Sequence, residues 1–394
     1  MTTRRLAHDV AIVAMGCTPF GDHWGASADD LLVDAVTECM ASLPGMSVHD
    51  IDAFWVGTQG SGLSGQVLAR PLRLTDKPVT RVENYCATGS EAFRNAVFGV
   101  ASGAYDIVMA AGVEKLKDSS QSGLSAVLPP ADGTDVDWTA PAGFSLLVPA
   151  YQQAYGVSDA DMRRALTHVA VKNHANGALN ERAQFRRPVT PEAVEKSPRI
   201  AGALGVMDCS GVSDGAAAAV IVRAEDAHKY TDRPVYLKGM SFVAGSGSGL
   251  AATGYDFTTF PEVVTAARRA YEQAGVTDPA REISLAEVHD CFTPTEIVLM
   301  EDLGFSERGK AWRDVLDGRY DLRGALPVNT DGGLKSFGHP IGATGLRMMF
   351  ECFTQLRGEA GERQVEGARL AVAQNLGGQP GSTVAFVAVL GSER

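Results

Sequence analysis

Two distant segments of this chain repeat one phrase. Leu31–Val56 and Val263–Val288 each run as a helically spaced stretch, a glycine turn, an acidic stretch and a short apolar strand. A second pair follows the same logic. Cys86-Ala-Thr-Gly89 opens a helix predicted over 90–102, followed by the strand Ile107–Ala111. His339-Pro-Ile-Gly-Ala-Thr-Gly345 opens one predicted over 346–357, followed by the strand Ala368–Ala373. Apolar strands separated by helices are the pattern of a parallel sheet covered on both faces. Two copies of one layout predict an α/β fold whose halves are related by a pseudo-twofold axis. The strand Val10–Met15 opens the first copy, and Ser213–Val222, a run of small then β-branched residues, returns to it as a tightly packed strand.

Between the copies, residues 118–205 are polar and rich in Gly, Pro, Asn and Arg, and they read as an inserted loop domain with short helices. Its aromatic residues, Trp138, Phe144, Tyr151, Tyr155 and Phe185, argue that it packs, and insertions of this kind carry substrate contacts. The division expected is 1–117 for the N-terminal half, 118–205 for the insertion, 206–240 for the end of the N-terminal half and 241–394 for the C-terminal half. Residues 1–8 read as an arm. The net charge of −12, with no dense Lys/Arg run, argues against nucleic acid or an anionic membrane surface as partner. No apolar run has the length of a membrane span and no signal peptide is legible, so a cytoplasmic location is expected.

The six cysteines, at 17, 39, 86, 209, 291 and 352, are scattered and form no Cys-x-x-Cys pair, so neither disulfides nor a metal site is expected. Cys17, Cys39, Cys209 and Cys352 read as buried hydrophobes. Cys86 stands at a strand-to-helix turn, where free helix N–H groups and the dipole favour a thiolate and stabilise an oxyanion. His339 stands at the matching turn of the second copy, where a histidine activates a thiol; Pro340 suits a first helical position. His289-Asp-Cys291-Phe follows a predicted strand end, the place where ligands gather in open α/β sheets. Asn375-Leu-Gly377-Gly378 reads as a glycine-rich loop past the Ala368–Ala373 strand, open to close approach by a ligand.

These motifs, in this order and over essentially the whole chain, resemble the thiolase superfamily. The His289-Asp-Cys-Phe292 segment, where other thiolases carry Asn-Glu-Ala-Phe, resembles the sterol-carrier-protein-type branch. The Cys-x-Gly loop of the standard enzymes reads Asn375-Leu-Gly377 here. The resemblance implies the thiolase fold, a five-layered α/β/α/β/α arrangement with an inserted loop domain. It also implies an acyltransferase that forms an acyl-Cys86 intermediate and makes or breaks a C–C bond of a 3-ketoacyl-CoA in lipid or sterol side-chain metabolism. In that role His339 activates Cys86, the amides of Cys86 and Gly377 form an oxyanion hole, Cys291 moves a proton at the α-carbon, and His289 with His339 holds the second thioester oxygen. Coenzyme A thioester is the substrate, with no permanently bound cofactor and no metal. Ser246 and Gly247 are expected against the pantetheine arm, and Gly89, Gly338, Gly342, Gly345, Gly377 and Gly378 where backbone approaches the thioester. Such proteins form homodimers or homotetramers, and this chain is expected to end without an appended sterol-carrier domain. Relatives of this shape include retro-aldolases and C-acyltransferases that work beside a small OB-fold/zinc-ribbon partner. A non-catalytic acyl-CoA or lipid-binding protein is the reading from a different class.

Overall fold

β1 (Val10–Cys17) is buried along its whole length because it lies at the middle of a nine-stranded sheet with helices on both sides. The computed structural model describes residues 9–118, 139–247 and 254–394. The other strands of this sheet are β2 (Ala53–Gly57), β3 (Val79–Val82), β4 (Ile107–Glu114), β7 (Gly215–Arg223), β8 (Val235–Ala244), β9 (Leu285–Glu287), β10 (Leu370–Gln379) and β11 (Ser382–Gly391). β5 (Arg199–Ala201) and β6 (Leu204–Gly205) form a separate two-stranded ribbon. The order β3-β2-β4-β7-β1-β8-β11-β10-β9 reads as two runs, each with its own core strands, meeting where β1 pairs with β8 at Ala11–Tyr236 and Ile12–Val235.

The repeat seen in the sequence is visible in this order. β2 lies parallel to β4 in the first run, and β9 lies parallel to β10 in the second. The expectation of a parallel sheet needs correction, however: β4–β7, β7–β1, β1–β8, β8–β11 and β11–β10 are all antiparallel. Apolar runs announce burial on both faces but carry no direction, and the tight hairpin between β10 and β11 forces reversal. That hairpin also moves the Asn375–Gly378 segment, expected as a loop, into β10 itself.

Alternation along β1 divides the core into layers. Ala11 and Val13 face the outer helix Ala28–Ala41, meeting Leu31, Leu32, Ala35 and Cys39, while Val10 and Ile12 face the central layer. The central layer holds two helices, Thr88–Ala101 and Ile341–Leu356, packed against each other, and Pro261–Ala274 covers β8 and β11. The central pair cross at glycine. A Cβ on Gly345 would sit 2.2 Å from Ser90 Oγ, and one on Gly342 would sit 2.3 Å from the Val113 carbonyl. Gly89, Gly342 and Gly345 thus serve helix–helix and helix–sheet contact, not approach to a ligand.

The insertion is more helical than expected. Its principal element is a 20-residue helix, Asp159–Ala178, started by Ser158, whose hydroxyl accepts from Asp161 N. Phe144 and Tyr151 are buried, Phe185 is exposed, and Trp138 lies outside the described residues. Among the described residues no helix is long and apolar enough to cross a membrane.

Candidate active site

Cys86 precedes the helix Thr88–Ala101 in a turn closed by Ala87 N to Asn84 O (3.0 Å) and Thr88 N to Tyr85 O (3.0 Å). Tyr85 takes φ +50, a left-handed conformation costly for a bulky residue, which sets the thiol at the helix start. His289 and Cys291 follow β9, and Cys291 lies just before the helix Thr293–Asp302. His339 precedes the helix Ile341–Leu356, with its own N–H donated to Ser213 Oγ (3.1 Å).

All four expected side chains line one narrow cleft, with Tyr85, Phe144, Phe292, Ile341 and Gly378 among its other walls. Cys86 Sγ and one ring nitrogen each of His289 and His339 lie within 4.8 Å of one another. The two imidazoles meet edge to face, centroids 5.2 Å apart. Cys291 is buried, its Sγ 3.8 Å from Thr295 Oγ1.

Hydrogen bonds assign the histidine tautomers. Thr344 Oγ1 donates its one hydrogen to Pro340 O (3.0 Å), so at 2.7 Å it accepts from His339 Nδ1. His339 Nε2 is then a bare lone pair, buried and without a partner among the described residues. Asn375 accepts from Ser90 Oγ (3.0 Å) through Oδ1 and donates Nδ2 to His289 Nδ1 (2.9 Å), which leaves the His289 proton on Nε2. One imidazole is poised to take a proton and the other to donate a hydrogen bond.

Burial pushes His339 down to about 3, with Arg347 adding to it, and holds His289 well below the ordinary histidine range. The Cys86 thiol is pushed up to about 12, chiefly by loss of water and further by Glu83 and Glu114. The expectation that the helix start favours a thiolate at Cys86 meets an opposing effect: burial raises the thiol and lowers the imidazole, both in the direction of the neutral pair. Cys291 is likewise held well above its ordinary value, by burial and by the neighbouring Cys86.

Other expected positions fall differently. Gly377 packs its backbone on the cysteine turn, where a Cβ would lie 2.7 Å from Asn84 O, while it is Gly378, at φ +85, that lines the cleft. Ser246 and Gly247 are exposed at the end of β8 and do not line the cleft; Ser248 and Gly249 lie outside the described residues. Cys17, Cys39 and Cys352 are buried, and Cys209 is half-buried with its thiol on Gly205 O (3.4 Å).

Several residues that organise the cleft were not anticipated. The buried Glu114 carboxylate accepts from Thr58 Oγ1, Gln59 N, Gly60 N, Ser61 Oγ and Gly342 N at 2.8–3.2 Å. It ties the loop carrying Gln59, a cleft wall, to the start of the His339 helix. Asp290 accepts from Leu334 N (2.6 Å), Lys335 N (3.2 Å) and Asn173 Nδ2 (2.7 Å), joining the His289–Cys291 segment to the stretch before His339 and to the insertion. Burial, with Glu296 nearby, raises Asp290 to about 7. Phe144, from the insertion, stacks on Phe292 at 4.8 Å.

Known proteins resemble this chain over nearly its whole length. Residues 10–225 match the thiolase N-terminal domain and residues 248–392 the thiolase C-terminal domain-like family. An acetyl-CoA acetyltransferase of Methanothermobacter thermautotrophicus is 39% identical, over 96% of this chain and 99% of its own. Sterol carrier protein 2 of Gallus gallus is 31% identical, over 93% of this chain and 69% of its own. Among solved structures, the Ltp2-ChsH2(DUF35) aldolase superposes with a TM-score of 0.83 at 25% identity, covering 99% of this chain and 100% of that one. Human mitochondrial 3-ketoacyl-CoA thiolase superposes at 0.72 and 18% identity, over 99% and 100%, which speaks to the fold alone. With both halves matched in order and a relative aligned nearly end to end, this chain belongs to the thiolase family and is an acyltransferase of that type.

Proposed function

We propose that Cys86 is the nucleophile of a thiolase-type reaction on an acyl-CoA, with His339 its base, Cys291 the acid/base at the α-carbon and His289 a hydrogen-bond donor to the second thioester. The observation that carries this reading is the convergence of Cys86 and two oppositely polarised imidazoles in one cleft. Because thiol and imidazole are both neutral at rest, proton transfer from Cys86 Sγ to His339 Nε2 accompanies attack on the thioester carbon. Amides of Cys86 and of the Gly377–Gly378 segment receive the oxyanion. The CoA thiolate leaves with the proton held on His339, and the acyl group stays on Cys86. In the second half-reaction, Cys291 moves a proton at the α-carbon of the entering or departing acetyl unit, and His289 Nε2–H stabilises the enolate. The apolar walls Phe144 and Phe292, and the relation to sterol carrier protein 2, support lipid or sterol side-chain substrates.

Intact-mass spectrometry after incubation with acetyl-CoA or acetoacetyl-CoA tests the reading. An acyl adduct is expected that vanishes in Cys86→Ala. In Cys291→Ala, acylation persists while C–C bond cleavage fails; equal loss of both steps would remove the role given to Cys291. No adduct from any acyl-CoA favours the non-catalytic carrier. A second reading, aldol cleavage or C-acyl transfer beside a small partner, is favoured by the likeness to an aldolase whose name pairs it with ChsH2(DUF35). A substrate panel run with and without a co-expressed small partner distinguishes it.

A further inference from the structure

We propose that Cys86, His289 and His339 also form a soft-metal site: a single ion of the Zn²⁺ class takes these three side chains as ligands and blocks the nucleophile. Their donor atoms lie within 4.8 Å of one another. Tetrahedral bonds of about 2.3 Å to sulfur and 2.0–2.1 Å to nitrogen hold donors about 3.3–3.6 Å apart, so the three need close by only roughly an ångström. Side-chain torsions supply that, and the fourth position opens on the cleft. A thiolate with two imidazoles selects zinc or copper over magnesium or calcium.

The second observation is His339 Nε2, which has no partner among the described residues. It is fully buried in the cleft wall, and its sister nitrogen is already tied to Thr344. That is the arrangement of a pre-oriented ligand whose outer hydrogen bond fixes ring and tautomer. His289 needs one change. Rotating the Asn375 amide by half a turn presents Oδ1 to His289 Nδ1, moves the imidazole proton there and frees Nε2 for the metal. Ser90 Oγ, now the donor to Asn375, becomes the acceptor of its Nδ2. The Cys86 thiol proton passes to solvent as the metal–sulfur bond forms.

The local field suits a cation. Glu83 and Glu114 make the surroundings of the Cys86 sulfur negative. Arg347 opposes them, but its guanidinium is paired at 2.7 Å with both Glu287 and Asp331. The site does not depend on Cys86 being the nucleophile proposed above, because its occupancy is measured directly on the free thiol.

The test titrates the reduced, full-length protein with Zn²⁺ against a chromophoric chelator. One equivalent is expected in the wild type and in Cys291→Ala, and none in Cys86→Ala or in wild type alkylated at Cys86. Circular dichroism melts on each sample separate a lost ligand from a lost fold. Co²⁺ in place of Zn²⁺ is expected to give a thiolate-to-cobalt charge-transfer band that Cys86→Ala lacks. Asn375→Asp, which offers His289 Nδ1–H a permanent acceptor, is expected to tighten Zn²⁺ about tenfold. An equivalent that survives both Cys86→Ala and alkylation, or a wild type that binds none, overturns the site; an unchanged affinity in Asn375→Asp overturns the amide switch.

Discussion

Thr344→Val is the sharpest probe of the neutral thiol–imidazole pair. Valine keeps the shape and removes the hydroxyl that accepts from His339 Nδ1 at 2.7 Å. His339 is fully buried, so no water replaces the lost acceptor. An unsatisfied buried N–H costs about 1–3 kcal/mol. The imidazole escapes that cost by moving its proton to Nε2, the nitrogen left free for Cys86, but it then cannot take the thiol proton. Holding the productive tautomer therefore costs about 1–3 kcal/mol, and at about 1.4 kcal/mol per tenfold the acylation rate falls about 5- to 150-fold. Single-turnover acylation with acetyl-CoA, followed by intact mass, measures it. Thr344→Ser retains the hydroxyl and loses only the methyl that valine keeps, so it is expected to keep most of the rate. Wild-type acylation in Thr344→Val, or equal impairment in Thr344→Ser, refutes the tautomer argument.

Other outcomes follow from the same contacts. Glu114→Gln turns an N–H₂ toward donors that now share the carboxylate, and is expected to destabilise the fold by about 3 kcal/mol in urea denaturation; a loss below 0.5 kcal/mol would falsify its role as a tie. Gly342→Ala drives a methyl against the Val113 and Gly57 carbonyls, both main chain, and should reach or exceed the 1–3 kcal/mol typical of overpacking, read as a lowered denaturation midpoint. Burial lowers His174 to about 4, so between pH 6.5 and 4 unfolding takes up a proton there and stability declines as pH falls. His174→Gln removes that uptake and should gain on the wild type by up to about 1.4 kcal/mol per pH unit over this window; parallel stability curves count against it.

What the sequence made legible were residues whose local punctuation announces their position. Cys86 and His339 stand at the starts of long helices and His289 at the end of a strand, next to small residues or proline, and the repeat brings those termini together. Thr344, Asn375 and Glu114 carry no such marker. Each is an ordinary polar residue inside a helix or strand. Thr344 meets His339 and Pro340 only once the helix start has formed, and the other two act on partners far along the chain: Asn375 reaches His289 and Ser90, and Glu114 reaches Gly342. The 20-residue helix of the insertion was illegible for a related reason. It buries Met162, Leu166 and Val169 but also Lys172, Asn173 and Asn176, so no single apolar stripe marks it. Lys172 and Asn173 find partners inside: Lys172 lies 3.0 Å from Glu296, and Asn173 donates to both Asp290 and Glu296.

This buried polar layer explains how four reactive groups from distant turns keep their geometry without a rigid loop. Asp290 sits between His289 and Cys291, and its carboxylate caps the amides of Leu334 and Lys335, five and four residues before His339. Gly333 must lack a Cβ there, since one would lie 2.4 Å from Asp290 Oδ2. Glu114 performs the matching task on the other side of His339, holding Gly342 N and the Gln59 loop. His339 is thus clamped from both flanks by carboxylates that never enter the cleft, one reaching it from each half of the repeat. The same burial that makes these ties strong pushes the Cys86 thiol up and the His339 imidazole down. A pre-formed thiolate is therefore not what the fold stores. It stores a fixed direction for one proton, from sulfur to Nε2, and that transfer becomes favourable only when a thioester carbon accepts the sulfur's electrons.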